Sequence, residues 1–139
     1  MRLDWLIPCT SVTIKGGLAA IQQAGIDRVT VDELPVEVRF VVLLRVVGLP
    51  NDFLEESPRE AEAYLLGPGM EPLVSLQFEI PPGDPPDDLP DGWELATFLP
   101  VGIRFVPRVA GAHMLDVYLN GKHQKGLPVT VRTKRSPSS

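Results

Sequence analysis

The chain of 139 residues is long enough for one domain with a real core and too short for two comfortable ones. Its 44% hydrophobic and 22% charged residues exclude a disordered chain, and a formal charge of −5, with 13 basic residues scattered among 18 acidic ones, excludes the clustered cationic face that nucleic acid requires. The 15 prolines and 12 glycines leave no window for a bundle of long helices, so many short elements follow.

The opening places only Trp5, Leu6 and Ile7 in a row before Pro8, which is no core for a secretory leader, so the expected location is the cytoplasm. Ser11 to Lys15 and Leu18 to Ile21 flank Gly16-Gly17, a pair that supplies the positive φ angles of a two-residue hairpin turn. Arg28 to Val31 is read as a further strand, continuing the hairpin after a bulge. The strongest periodic signal follows Leu34-Pro35. Val36, Val38, Phe40, Val42, Leu44 and Val46 share one face, and Val41, Leu43 and Val47 join Glu37, Arg39 and Arg45 on the other, the pattern of a central strand covered on both sides. Arg39 and Arg45 close its apolar run, so no membrane span is expected.

Residues 57–66 carry conflicting signals: Ser57-Pro58-Arg59-Glu60 reads as a capping box, while Ala61, Ala63 and Leu65 alternate with Glu60, Glu62 and Tyr64. Strand is preferred, because Gly67-Pro68-Gly69 then joins it to Val74, Leu76, Phe78 and Ile80, which alternate cleanly. The Pro- and Asp-rich stretch 81–92 is read as an exposed loop, followed by an extended segment from Trp93 to Val106 bent at Pro100-Val101-Gly102. His113 to Leu119 leads into Asn120-Gly121, the pair suited to a type I′ turn, and Leu127, Val129 and Val131 alternate on the returning strand. The fold class expected is all-β, an antiparallel two-sheet immunoglobulin-like sandwich of about seven to nine short strands with little or no helix. One domain over 1–132 is expected, with 133–139 as a flexible tail containing the basic Lys134 and Arg135 next to Arg132.

Several of these segments together, namely Leu3 to Cys9, Gly17-Leu18, Ala24 to Val29, Leu34-Pro35 with the strand to Arg45, and Gly111 to Leu119 with Asn120-Gly121, resemble an uncharacterised bacterial family of β-sandwich proteins of similar length, a domain of unknown function. Similar proteins often enter the middle strand through Gly-x-His, where this chain has Pro58-Arg59-Glu60-Ala61. The resemblance implies a sandwich and no activity, and it brings no catalytic residue.

Candidate sites are few. A single cysteine excludes an internal disulfide and a cysteine-based zinc site, and Cys9, on the parity of Leu3, Trp5 and Ile7, is read as a small buried thiol. His113 and His123 are read as surface residues, about 20 Å apart at ~3.3 Å per strand residue, and so as no joint metal site. Asp84, Asp87, Asp88 and Asp91 are read as a solvated loop, since Pro85, Pro86 and Pro90 break calcium-loop spacing. Trp5 and Trp93 are read as packing residues. No catalytic, cofactor or metal constellation is expected. The leading expectation is a non-enzymatic protein-interaction or assembly module whose partner is a protein, with self-association through a strand edge as one form of it. The alternative is a small-ligand or carbohydrate-binding module using loop 81–92 and exposed aromatics.

Overall fold

Alternation of apolar and polar residues decides which face each strand buries, and pairing register decides which strands meet. In the computed structural model, which describes residues 1–83 and 86–134, ten strands follow one another: β1 (Arg2–Cys9), β2 (Ser11–Lys15), β3 (Leu18–Gln22), β4 (Arg28–Val31), β5 (Val38–Gly48), β6 (Glu60–Leu66), β7 (Pro72–Glu79), β8 (Leu95–Phe105), β9 (Gly111–Leu119) and β10 (Lys122–Thr133). They form a three-stranded sheet in the order β1-β5-β8, a five-stranded sheet in the order β4-β10-β9-β6-β7, and the separate hairpin β2-β3. The two larger sheets pack face to face as a β-sandwich. Among the described residues the sole helical element is a 3₁₀ turn, Pro50–Phe53, and no helix is long and apolar enough to cross a membrane.

The inward parity of β5 forms the centre of the core. Val38, Phe40, Val42, Leu44 and Val46 pack with Ala61, Ala63 and Leu65 of β6, Leu115, Val117 and Leu119 of β9, and Val129 and Val131 of β10. Each such Val, Leu or Phe contributes roughly 1.5–3 kcal/mol by leaving water. The second face of β5 is also covered, with Leu43 fully buried and Val47 nearly so, as its mixed pattern implies. Both expected two-residue turns form: Gly16 and Gly17 have φ of 59° and 76°, and Asn120 and Gly121 have φ of 48° and 80°. Residues 57–66 resolve as strand, because pairing with both β7 and β9 outweighs the local helix-start signal.

Four expectations are corrected. β4 does not continue the β2-β3 hairpin; it pairs parallel to the end of β10, so one ladder of the sandwich is not antiparallel. The segment after Trp93 is one strand, β8, whose register with β5 passes Pro100 without a shift, opposite Leu43. β8 is an edge strand of its sheet, where a residue without an N–H is tolerated. Trp93 lies outside β8 and is 62% exposed rather than packed. His113 is not a surface residue but 1% exposed, on the parity of Leu115 and Val117. β10 includes Arg132 and Thr133, and Lys134 N donates to Val31 O at 2.9 Å. Asp84, Pro85 and residues 135–139, including Arg135, lie outside the described residues.

Candidate functional site

A sandwich that is not closed into a barrel has sheet edges, and each edge exposes backbone donors and acceptors unless something blocks it. The edges of the two main sheets are β1, β8, β4 and β7. β1 shifts register between Leu3 and Trp5, and its Pro8 carbonyl accepts from Gly25 N at 2.8 Å, so a returning segment covers it. β8 carries Pro100 at mid-strand. β4 has four residues. β7 has eight, with Pro72 and a register shift at its start and charge only at its last residue. From Val74 to Phe78 it carries no built-in block.

The register identifies which of its backbone groups are open. Ile80 N donates to Arg59 O at 2.8 Å, and the β6-β7 ladder continues that pairing with Ala61 opposite Phe78 and Ala63 opposite Leu76. Antiparallel alternation therefore turns the N–H and C=O groups of Phe78 and Leu76 toward β6 and those of Ser75, Gln77 and Glu79 toward open space. Side chains alternate on the perpendicular axis. Val74, Leu76 and Phe78 sit half-buried at the rim of the core, and Ser75, Gln77 and Glu79 stand on the outer face. Between β7 and the β8 edge of the opposite sheet runs a groove of about 300 Å³, lined among others by Leu76, Phe78, Leu99 and Val101.

Arg59 anchors this edge. It is 4% exposed, and its guanidinium donates to the carbonyls of Leu54 (2.9 Å), Glu55 (2.9 Å) and Ile80, with Nη2 also 3.0 Å from Glu79 Oε1. One planar fork thus joins the loop after the 3₁₀ turn to the end of β7, and every contact compensates a charge removed from water. Asn120 holds the neighbouring start of β6, accepting from Glu60 N at 2.9 Å and donating to Pro58 O at 3.1 Å. Neither role is expected from composition. The one signal for Arg59 is its parity with Ala61, Ala63 and Leu65.

The outer face beside the edge is acidic and aromatic. Ser57, Pro58, Arg59, Glu60, Glu62, Gln77 and Glu79 are among the residues lining a cleft of about 480 Å³. Next to it Tyr64 and Tyr118 meet edge to face at 5.6 Å, Tyr118 meets His123 at 5.1 Å, and His123 Nε2 is 2.9 Å from Asp116 Oδ1. The Tyr64 hydroxyl donates to Glu62, and that carboxylate, with burial adding to it, holds the phenol above its ordinary value.

The residues singled out from sequence do not converge. His113 and His123 occupy opposite faces of the five-stranded sheet, opposite Val129 and Tyr118 respectively. His113 Nδ1 lies 3.0 Å from Gly111 O, and among the described residues its Nε2 has no partner. Cys9 is fully buried, as its parity implies; its thiol donates to Val41 O at 3.4 Å and burial pushes its pKa up. Trp5 leans on Phe98 at 5.7 Å. Asp87, Asp88 and Asp91 are exposed, and among the described residues no three His, Cys, Asp or Glu side chains gather to hold a metal ion.

No family model and no curated protein matches the chain. Among solved structures it is similar to the crystal structure of the Lin-41 filamin domain, at 16% identity and a TM-score of 0.41, over 94% of this chain and 99% of that one. The sandwich assignment rests on the strand pairing described above.

Proposed function

We propose that the chain is a non-enzymatic protein-interaction module that takes up an extended segment of a partner by strand addition to β7. The observation that carries the reading is the open edge of β7 from Val74 onward, with the backbone groups of Ser75, Gln77 and Glu79 turned outward beside a groove that Leu76, Phe78, Leu99 and Val101 help to line. Strand addition draws affinity from main-chain hydrogen bonds and specificity from pockets for alternate side chains, and β7 offers both. The test is Gln77→Pro. It removes an outward N–H and no bond to β6, so the fold is expected to persist while binding of a peptide selected from a displayed random library is lost. Equal binding by the variant and the unaltered chain would refute the proposal.

A second reading, a small-ligand or carbohydrate module, is favoured by the exposed Trp93 and by a neighbouring cleft of about 330 Å³ that Leu49, Pro50, Leu89 and Pro90 help to line. A glycan array probed with the chain and with Trp93→Ala separates the two readings, because only the second expects a glycan signal that the variant loses.

A further inference from the structure

Resting on the reading of β7 as the docking edge, we infer that its occupant is an extended segment of another protein with apolar side chains at alternate positions and Lys or Arg at the positions between. A strand added to β7 must point successive side chains to opposite faces. Those directed inward lie beside Leu76 and Phe78 and meet Leu99 and Val101 across the groove, all four half-buried at the rim of the core. Apolar groups that displace water there gain by burial.

Those directed outward meet a different surface. Their cross-strand neighbours are Gln77 and Glu79, and the next strand presents Glu60, Glu62 and Tyr64 on the same face. Strands are spaced about 4.8 Å apart, so β6 lies two spacings from the added strand, within the span of a long basic side chain and a carboxylate. The nearest cation, Arg59, is buried against three carbonyls and the Glu79 carboxylate at 3.0 Å, so it offsets that one charge and not those of Glu60 and Glu62. The outer face of β6 and β7 therefore presents three carboxylates and no exposed Lys or Arg. A second copy adding its own β7 would join two such acidic faces, each with Arg59 paired to Glu79 and with no Lys or Arg of β6 or β7 beside Glu60 and Glu62. Joining two faces of like net charge opposes that pairing, and a basic segment relieves the repulsion instead.

The experiment selects decapeptides from a displayed random library on the full chain, then measures the best synthetic peptide by fluorescence anisotropy. Its targets are the unaltered chain, Gln77→Pro, and the double variant Glu60→Gln/Glu62→Gln. Selected peptides are expected to alternate apolar and Lys/Arg residues, to lose binding to Gln77→Pro, and to bind the double variant about two- to fivefold more weakly per charge removed. Circular dichroism checks the fold of each variant, and a salt series on the unaltered chain gives an independent reading, with affinity expected to fall as ionic strength rises. Peptides that need the Gln77 amide but carry no basic alternation, or that are indifferent to salt and to the double variant, overturn the inference and leave the edge reading standing. Absence of any peptide sensitive to Gln77→Pro overturns both. Concentration-dependent dimerisation lost in Gln77→Pro overturns the choice of a foreign segment over a second copy.

Discussion

Replacing Arg59 with Met keeps much of the side-chain volume and removes the fork that joins three carbonyls. The acceptor on Ile80 is fully enclosed, while those on Leu54 and Glu55 are partly enclosed. Leaving a buried acceptor unpaired costs about 1–3 kcal/mol, and each partly buried one about 1 kcal/mol, so the loss is about 3–5 kcal/mol. A domain of this kind holds only about 5–15 kcal/mol in total. With a urea slope of about 2 kcal/mol per molar, the midpoint should fall by roughly 2 M. Urea unfolding followed by tryptophan fluorescence measures it. Arg59→Lys should recover little, because a single ammonium cannot span carbonyls from Leu54, Glu55 and Ile80 at once. A loss below about 1 kcal/mol in Arg59→Met would show that the carbonyls find other partners and that Arg59 does not anchor the edge.

Phe53→Ala empties a buried site under the 3₁₀ turn and should cost about 3–5 kcal/mol in the same assay; Phe53 is 2% exposed. Asn120→Ala loses two hydrogen bonds and the tolerance for a positive φ, and should cost about 1–2 kcal/mol, of which Asn120→Gly restores only the backbone share. The Cys9 thiol should resist a disulfide reagent in the folded chain and react at once in denaturant. Because its pKa is raised on folding, its contribution to stability is fully present below the unfolded thiol value of about 8.5 and declines as pH rises through the raised folded value, so unfolding midpoints taken up through that range should fall less in Cys9→Ala.

What could be read from the sequence was local. β5 and the hairpin at Asn120-Gly121 declare themselves because parity and turn chemistry act within a few residues. Residues 57–66 were balanced between helix and strand, and pairing with β7 and β9, which no local rule contains, decided the outcome. Arg59 is buried because its acceptors come from Leu54, Glu55 and Ile80, and the meeting of those carbonyls exists only in the fold. His113 is readable from its position: it shares its parity with Leu115, Val117 and Leu119, and that parity outweighs the polarity of an imidazole. Trp93 precedes β8 by two residues, so the alternation from Leu95 did not extend to it. The candidate edge was the least legible feature. Val74, Leu76 and Phe78 show the same period in an edge strand as in a central one, and only sheet order leaves β7 at the end.

Amide hydrogen exchange along β7, with and without a selected peptide, tests the proposed strand addition most directly. The expected result in the free chain is fast exchange at Ser75 and Gln77 and slow exchange at Leu76 and Phe78, whose amides face β6. Saturating peptide should slow Ser75 and Gln77 by about tenfold or more. Unchanged exchange at those two amides, with protection appearing elsewhere on the surface, would contradict docking at this edge.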